Sequence, residues 1–212
     1  MTRTTNARIA GFTFLFYIAA GISSMVLYGG ATDAEGTAAK LARIAEHASD
    51  VRVTIVLAVT LYGITRDEDH ELAMLGMACR VGEGVLDAIG IPETLGMLWL
   101  ATTRAGAGAP DVATANALGA FLTMPGPSVP VSAIFFAVGS TLFSYLLLRG
   151  RMIPAPLAWL GVLASVLLVV GLPLQLAGCL KGPVPGYMWA PMLLFEVPLA
   201  LWLLIKGVPA TR

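Results

Sequence analysis

Two long uncharged runs, Val131–Leu148 (VSAIFFAVGSTLFSYLLL) and Leu157–Leu180 (LAWLGVLASVLLVVGLPLQLAGCL), decide the fold class of this chain. A helix needs about 20 apolar residues to cross a hydrocarbon core that is roughly 30 Å thick. Arg149 and Arg151 lie in the short segment between the two runs. The pattern is typical of two membrane-spanning helices joined by a basic turn.

The rest of the chain has the same character. Of its 212 residues, 57% are hydrophobic and only 12% are charged, whereas about a quarter are charged in an ordinary soluble domain. The composition predicts an all-α, polytopic membrane helical bundle of about six transmembrane helices, folded as a single domain over residues 1–212. The other four predicted spans are Ile9–Tyr28, Val51–Thr65, Leu72–Thr103 and Tyr187–Ile205.

The connections between the spans carry their own signals. Gly29–Asp50 places charged residues on a helical period and predicts an interfacial amphipathic helix between the first and second spans. The short run Val51–Thr65 is expected to continue that helix. We expect the third run to be one helix kinked at Pro92. The long connection Arg104–Pro130 contains a predicted helix, Asp111–Phe121, and could cap the bundle or act as a lid.

Charge sets the expected partners and orientation. Thirteen basic and thirteen acidic residues leave no net charge, so a nucleic-acid partner is not expected. The expected partner of these apolar spans is the lipid bilayer. If both termini are cytoplasmic, the inner side has a small majority of the basic residues, as the positive-inside rule requires. These residues are Arg3, Arg8, Arg66, Arg149, Arg151, Lys206 and Arg212.

Cysteine and histidine are too few for common metal sites. Cys79 and Cys179 stand in apolar segments, and His47 and His70 stand in polar ones. Neither a disulfide framework nor a zinc site with three histidines can be built from them. No glycine loop suited to phosphate follows a strand pattern. We therefore expect neither a cofactor nor a metal.

Four charged residues inside the predicted spans are the candidates for function. Arg80, Glu83 and Asp87 follow each other at i, i+3 and i+7 and so share one helix face, while Glu196 stands near the middle of the last span. Each such charge costs about 2.5–3.5 kcal/mol at the centre of a membrane helix. We therefore expect the four side chains to face the interior and meet.

The charges of this group predict its chemistry. If three carboxylates and one guanidinium were all ionised, like-charge repulsion and desolvation would both oppose the arrangement, so at least one carboxyl is expected to be protonated at neutral pH. Arg80 is the predicted ligand-binding residue, and Glu196, Glu83 and Asp87 are the candidate catalytic acids. The alternative is an ion pair that only locks two helices together.

Four pieces of the sequence together form a recognisable pattern. They are Ala7–Phe12 with Tyr17–Ile22, the Arg-x-x-Glu of Arg80 and Glu83, the turn from Tyr145 to Gly161, and Glu196 with Leu199–Leu204. In these pieces the chain resembles the bacterial integral-membrane family described as domain of unknown function 4386. The resemblance implies a multi-pass protein of the bacterial inner (plasma) membrane, and it implies no activity.

Three functions are compatible with this sequence. The leading one is a membrane protein of unknown biochemical role whose charged cluster binds a small or lipidic ligand between the helices. The second is a cofactor-independent intramembrane isomerase or cyclase that uses a protonated carboxyl as general acid. The third is a small proton-coupled carrier, although no internal repeat supports it. The oligomeric state is open in all three.

Overall fold

The computed structural model describes residues 2–31, 54–102, 110–122, 131–180 and 182–209, and the regular structure in these ranges is entirely helical. The predicted all-α class is therefore confirmed. The eight helices in these ranges are α1 (Arg3–Ala31), α2 (Thr54–Thr65), α3 (His70–Thr102), α4 (Val112–Leu122), α5 (Val131–Arg149), α6 (Ala155–Leu176), α7 (Val184–Tyr187) and α8 (Ala190–Ile205). The predicted amphipathic helix at Gly29–Asp50 lies, except for its first three residues, outside the described ranges.

Three segments in the described ranges are long and apolar enough to cross a membrane, judged by length and composition: Val131–Arg149, Ala155–Leu176 and Val184–Ile205. They coincide with the last three predicted spans. The count of six spans stays a prediction. The expectation that the third run forms one helix is confirmed, because α3 runs continuously through Pro92, whereas the kink at Pro92 stays a prediction.

The turn between α5 and α6 shows how local sequence sets the helix ends. Arg151 adopts a left-handed conformation with φ of 48°, and the Met152 N–H donates to the Leu147 carbonyl at 3.0 Å. This closure terminates α5 in the manner of a Schellman motif. Pro154 then stands at the N-cap of α6, where its missing N–H costs nothing.

Two helices begin at aspartates that accept backbone hydrogen bonds. Asp69 accepts from the Leu72 N–H at 3.1 Å, and Asp111 accepts from the Thr114 N–H at 2.7 Å. These backbone bonds hold the pKa of each carboxyl below its ordinary value, and the Arg149 guanidinium, 3.0 Å from Asp69, lowers the pKa of Asp69 further. The helix predicted at Asp111–Phe121 is therefore present, displaced by one residue.

The long helices pack in a chain of neighbours: α1 on α8, α8 on α6, α6 on α5, and α5 on α3. Small residues permit the close approaches. Gly11 of α1 lies against the backbone of Ala200 and Leu204 in α8, and Gly161 of α6 lies against the Phe195 ring of α8. Such glycines let helix backbones approach where lipid supplies no hydrophobic driving force between helices.

One end of the bundle, here called the basic end, gathers the start of α1, the α2–α3 turn, the α5–α6 turn and the end of α8. The Arg3 guanidinium donates to the Ile64 carbonyl at 3.0 Å and lies 3.8 Å from Glu68 and 3.4 Å from the Met152 sulfur. Consequently α1, α3 and α6 run away from this end, and α2, α5 and α8 return to it. The opposite end is called the far end below.

Candidate functional site

Three of the four candidate charges are buried at the middle of the bundle. Arg80, Glu83 and Glu196 are 1%, 2% and 7% exposed, and Arg80 is among the largest fully buried side chains of the described residues. The first two stand one turn apart on α3, and Glu196 comes from α8. For these three residues the expectation of an inward orientation is confirmed.

Arg80 and Glu83 form an ion pair, as predicted. The Arg80 Nη1 atom lies 2.8 Å from Glu83 Oε2. The other carboxylate oxygen, Oε1, accepts a hydrogen bond from the Tyr17 hydroxyl of α1 at 3.3 Å. Glu83 therefore joins α1 to α3 through one carboxylate.

The guanidinium is held by aromatic rings more than by hydrogen bonds. Its Cζ atom lies 4.7 Å from the centroid of the Phe136 ring of α5 and 5.8 Å from that of Tyr17. The aliphatic stem passes Gly139 of α5, where a Cβ atom would lie 3.0 Å from Arg80 Cγ. Within the described residues Nε and Nη2 have no hydrogen-bond partner, so cation–π contacts and the ion pair with Glu83 compensate the buried charge.

Glu196 lies on the other side of Arg80, beside a small cavity. Arg80, Ser140, Ser144 and Glu196 supply the polar part of its lining, and its volume of about 10 Å³ suits about one water molecule. No described basic side chain lies within 4.0 Å of the Glu196 carboxylate. The expectation that the buried charges meet is therefore confirmed for Arg80 and Glu83, whereas Arg80 and Glu196 share the lining of the small cavity.

A larger cavity of about 140 Å³ lies on the far-end side of the ion pair. It is partly open, and its lining combines carboxylates, aromatic rings and a hydroxyl. The lining residues are Tyr17, Glu83, Asp87, Ser132, Ala133, Phe136 and Trp189. We call it the larger cavity.

Asp87 departs from the expectation that all four charges are buried. Its side chain is exposed, although it lines the larger cavity together with Glu83. The physical reason is depth along the helix. Asp87 shares the face of Arg80, but it lies two turns nearer the far end, where the cavity opens.

Sequence reasoning missed four residues of the site: Ser132, Phe136, Gly139 and Trp189. Each stands in an apolar helix or at its start, without any periodic signal that separates it from its neighbours. Tyr17 lines the larger cavity, and Ser140 and Ser144 line the small one. Within the described residues no group of three or more His, Cys, Asp or Glu side chains is placed to hold a metal ion.

The arrangement offers two kinds of chemistry. The larger cavity presents acceptor oxygens and ring faces to a bound group, and the small cavity presents a buried carboxyl that could exchange a proton. The family model described as "Domain of unknown function (DUF4386)" matches residues 9–207, a range that includes every residue of both cavities. No curated protein and no solved structure matches the chain.

Proposed function

Because the chain belongs to the family described as "Domain of unknown function (DUF4386)", we propose its function from the site itself. The protein is an integral membrane protein that binds the polar group of a small or lipidic ligand in the larger cavity. The observation that carries this proposal is the cavity of about 140 Å³, which is bordered by the buried Glu83 carboxylate. Binding sites are typically concave, mostly apolar and supplied with a few convergent polar groups.

The position of the cavity supports access from the membrane. Ser132 and Trp189 stand at the far-end starts of α5 and α8, so the cavity opens toward that end. Trp189 and the nearby Tyr187 are exposed, and such aromatic side chains are enriched at membrane interfaces. A ligand could thus place its polar group in the cavity and leave an apolar tail in the bilayer.

Native mass spectrometry of the protein purified in mild detergent tests this proposal. Ala133 is buried and lines the larger cavity, so Ala133→Leu adds three carbons to that space. The wild type is expected to carry a bound small molecule or lipid that this variant lacks. Ala155→Leu, the same change at an exposed position at the start of α6, is the matched control. A bound species retained equally by Ala133→Leu, or none in the wild type, would contradict the proposal.

The proposed setting is the bacterial inner (plasma) membrane, with six spans and cytoplasmic termini. The alternating directions of the six longer helices support an even number of crossings. The gathering of basic residues at the end that holds the α1 start supports the cytoplasmic side for that end.

Cysteine labelling with a membrane-impermeant reagent in intact cells tests this topology. It starts from a background in which Cys79 and Cys179 are replaced. Labelling is expected at Pro110→Cys and absent at Thr2→Cys until the membrane is opened. Labelling of Thr2→Cys in intact cells would refute the orientation.

A second candidate function is acid–base catalysis without a cofactor, such as an isomerisation or cyclisation of an apolar substrate. The observation that favours it is Glu196, which is 7% exposed and has no described basic group within 4.0 Å. In this mechanism Glu196 is the general acid and acts through the water-sized small cavity, because it does not line the larger cavity that Glu83 and Asp87 border.

A further inference from the structure

We propose that the larger cavity recognises an organic ammonium group. This inference rests on the proposed function and names the chemical class of its ligand. The geometry that carries it is a pair of carboxylates and three aromatic rings around a space of about 140 Å³.

The charges of the cavity wall favour a cation. Asp87 has no basic partner within 4.0 Å among the described residues, and it faces the space that Glu83 borders. Arg80 neutralises Glu83 from the opposite side and does not belong to the cavity lining. A bound cation therefore meets an uncompensated carboxylate, whereas a bound anion meets only like charge.

The rings supply the second part of the site. Tyr17, Phe136 and Trp189 line the cavity, and the Phe136 and Trp189 centroids are 5.7 Å apart with the ring planes at 40°. Faces of aromatic rings attract ammonium groups, and cages of this type bind quaternary ammonium ligands. Phe136 already serves one cation in this structure, since the Arg80 Cζ lies 4.7 Å from its centroid.

Two further observations point to a ligand at this place. Glu83, whose carboxylate borders the cavity, is only 2% exposed. The volume is close to that of a cavity of about 150 Å³ that holds benzene in another protein. A trimethylammonium or similar alkylammonium group fits such a space, and a free amine or a lipid headgroup could supply it.

Choline is the probe for the shared chemistry, with its neutral isostere 3,3-dimethylbutan-1-ol and the anion acetate as comparisons. Binding to the purified protein is measured by tryptophan fluorescence and by the shift in the thermal unfolding midpoint. Choline is expected to give saturable changes at concentrations at least about tenfold below those that the isostere needs. Equal binding of the isostere, or tighter binding of acetate, would overturn the ammonium inference.

Two matched variants locate the effect. Asp87→Asn removes the carboxylate of the cavity at an exposed position and is expected to weaken choline binding about tenfold without loss of folding. Asp67→Asn removes the same charge at the basic end, where Asp67 is half exposed, and should leave choline binding unchanged. Unchanged binding in Asp87→Asn, or an equal loss in both variants, would overturn the assignment to this cavity.

Nanodiscs distinguish the two sources of the ammonium group. If lipids supply it, choline-headgroup lipids compete with free choline and glycerol-headgroup lipids do not; if a free amine is the ligand, neither lipid competes. A different result would refute this inference and leave the proposed function standing. In that case choline does not bind, and native mass spectrometry finds a ligand that lacks an ammonium group and is absent from Ala133→Leu. Failure of choline binding with no bound species at all would refute both.

Discussion

Removing one partner of the Arg80–Glu83 ion pair is expected to destabilise the protein strongly, because the other partner would stay buried without its counter-charge. Arg80→Met retains an unbranched apolar stem beside Gly139 but removes the guanidinium. Glu83 then stays 2% exposed with only the Tyr17 hydroxyl near it. Breaking a buried pair by removing one partner typically costs about 3–5 kcal/mol.

The structure supports the upper part of that range. At pH 7, a carboxyl of ordinary pKa needs about 3.7 kcal/mol to take up a proton, and this sets the scale of the penalty for an unpaired Glu83. The lost cation–π contact with Phe136, at 4.7 Å, adds on the order of 1 kcal/mol. We therefore expect Arg80→Met to lose about 4–5 kcal/mol of unfolding free energy.

Equilibrium unfolding in mixed detergent, followed by circular dichroism, measures this loss. Arg149→Met is the control, because Arg149 pairs with Asp69 in an exposed setting, and it should cost a fraction of the loss. The double variant Arg80→Met/Glu83→Gln should recover most of it, since the introduced amide carries no charge and can still accept a hydrogen bond from the Tyr17 hydroxyl. Equal losses in the single variant and in Arg149→Met would refute the reasoning.

Three other outcomes follow from the same geometry. Gly139→Leu should destabilise the protein by about 1–3 kcal/mol, because its side chain would overlap the Arg80 stem; Gly186→Leu, which has no neighbour within 4 Å of a Cβ position, should not change the unfolding midpoint. The pKa of Asp69 is lowered by the backbone N–H that this carboxylate caps and, to a smaller extent, by Arg149. The ionised Asp69 therefore stabilises the protein fully above the ordinary carboxyl pKa of about 3.9, and this stabilisation is lost as the pH falls below that value. Wild-type protein should therefore lose more stability between about pH 5 and pH 2 than Asp69→Asn, and equal losses would contradict the cap. The free energy of unfolding of Glu196→Gln should lie within about 1 kcal/mol of the wild-type value, because no described basic partner is lost. If the protein is an enzyme that uses Glu196 as its general acid, the same variant should lose turnover. Full turnover would remove Glu196 from that mechanism.

The sequence predicts much of the fold because the relevant signals are local. Asp111 predicts the start of α4 through its capping oxygen, and the basic turn at Arg149 and Arg151 predicts the end of α5. The apolar lengths predict the last three spans. The order in which the helices pack is not local, and it cannot be predicted from these signals.

The site is only half predictable, for a reason specific to membrane proteins. Arg80, Glu83 and Glu196 stand out because a charge is costly at membrane depth. Phe136, by contrast, is one apolar residue in an apolar helix. In a soluble helix the buried face differs in polarity from the exposed face, but in a bilayer both faces are apolar and the period carries little information.

The placement of the ion pair argues for a role beyond locking helices. A buried ion pair can often be replaced by well-packed hydrophobic residues at no cost in stability, and a chain that is 57% hydrophobic has such residues in plenty. A purely structural lock would be expected to sit in close-packed surroundings. Arg80 and Glu83 instead lie beside two cavities, and each cavity has at least one carboxyl group on its wall. Empty space beside a buried ion pair lowers stability, and the proposed ligand site accounts for its presence here.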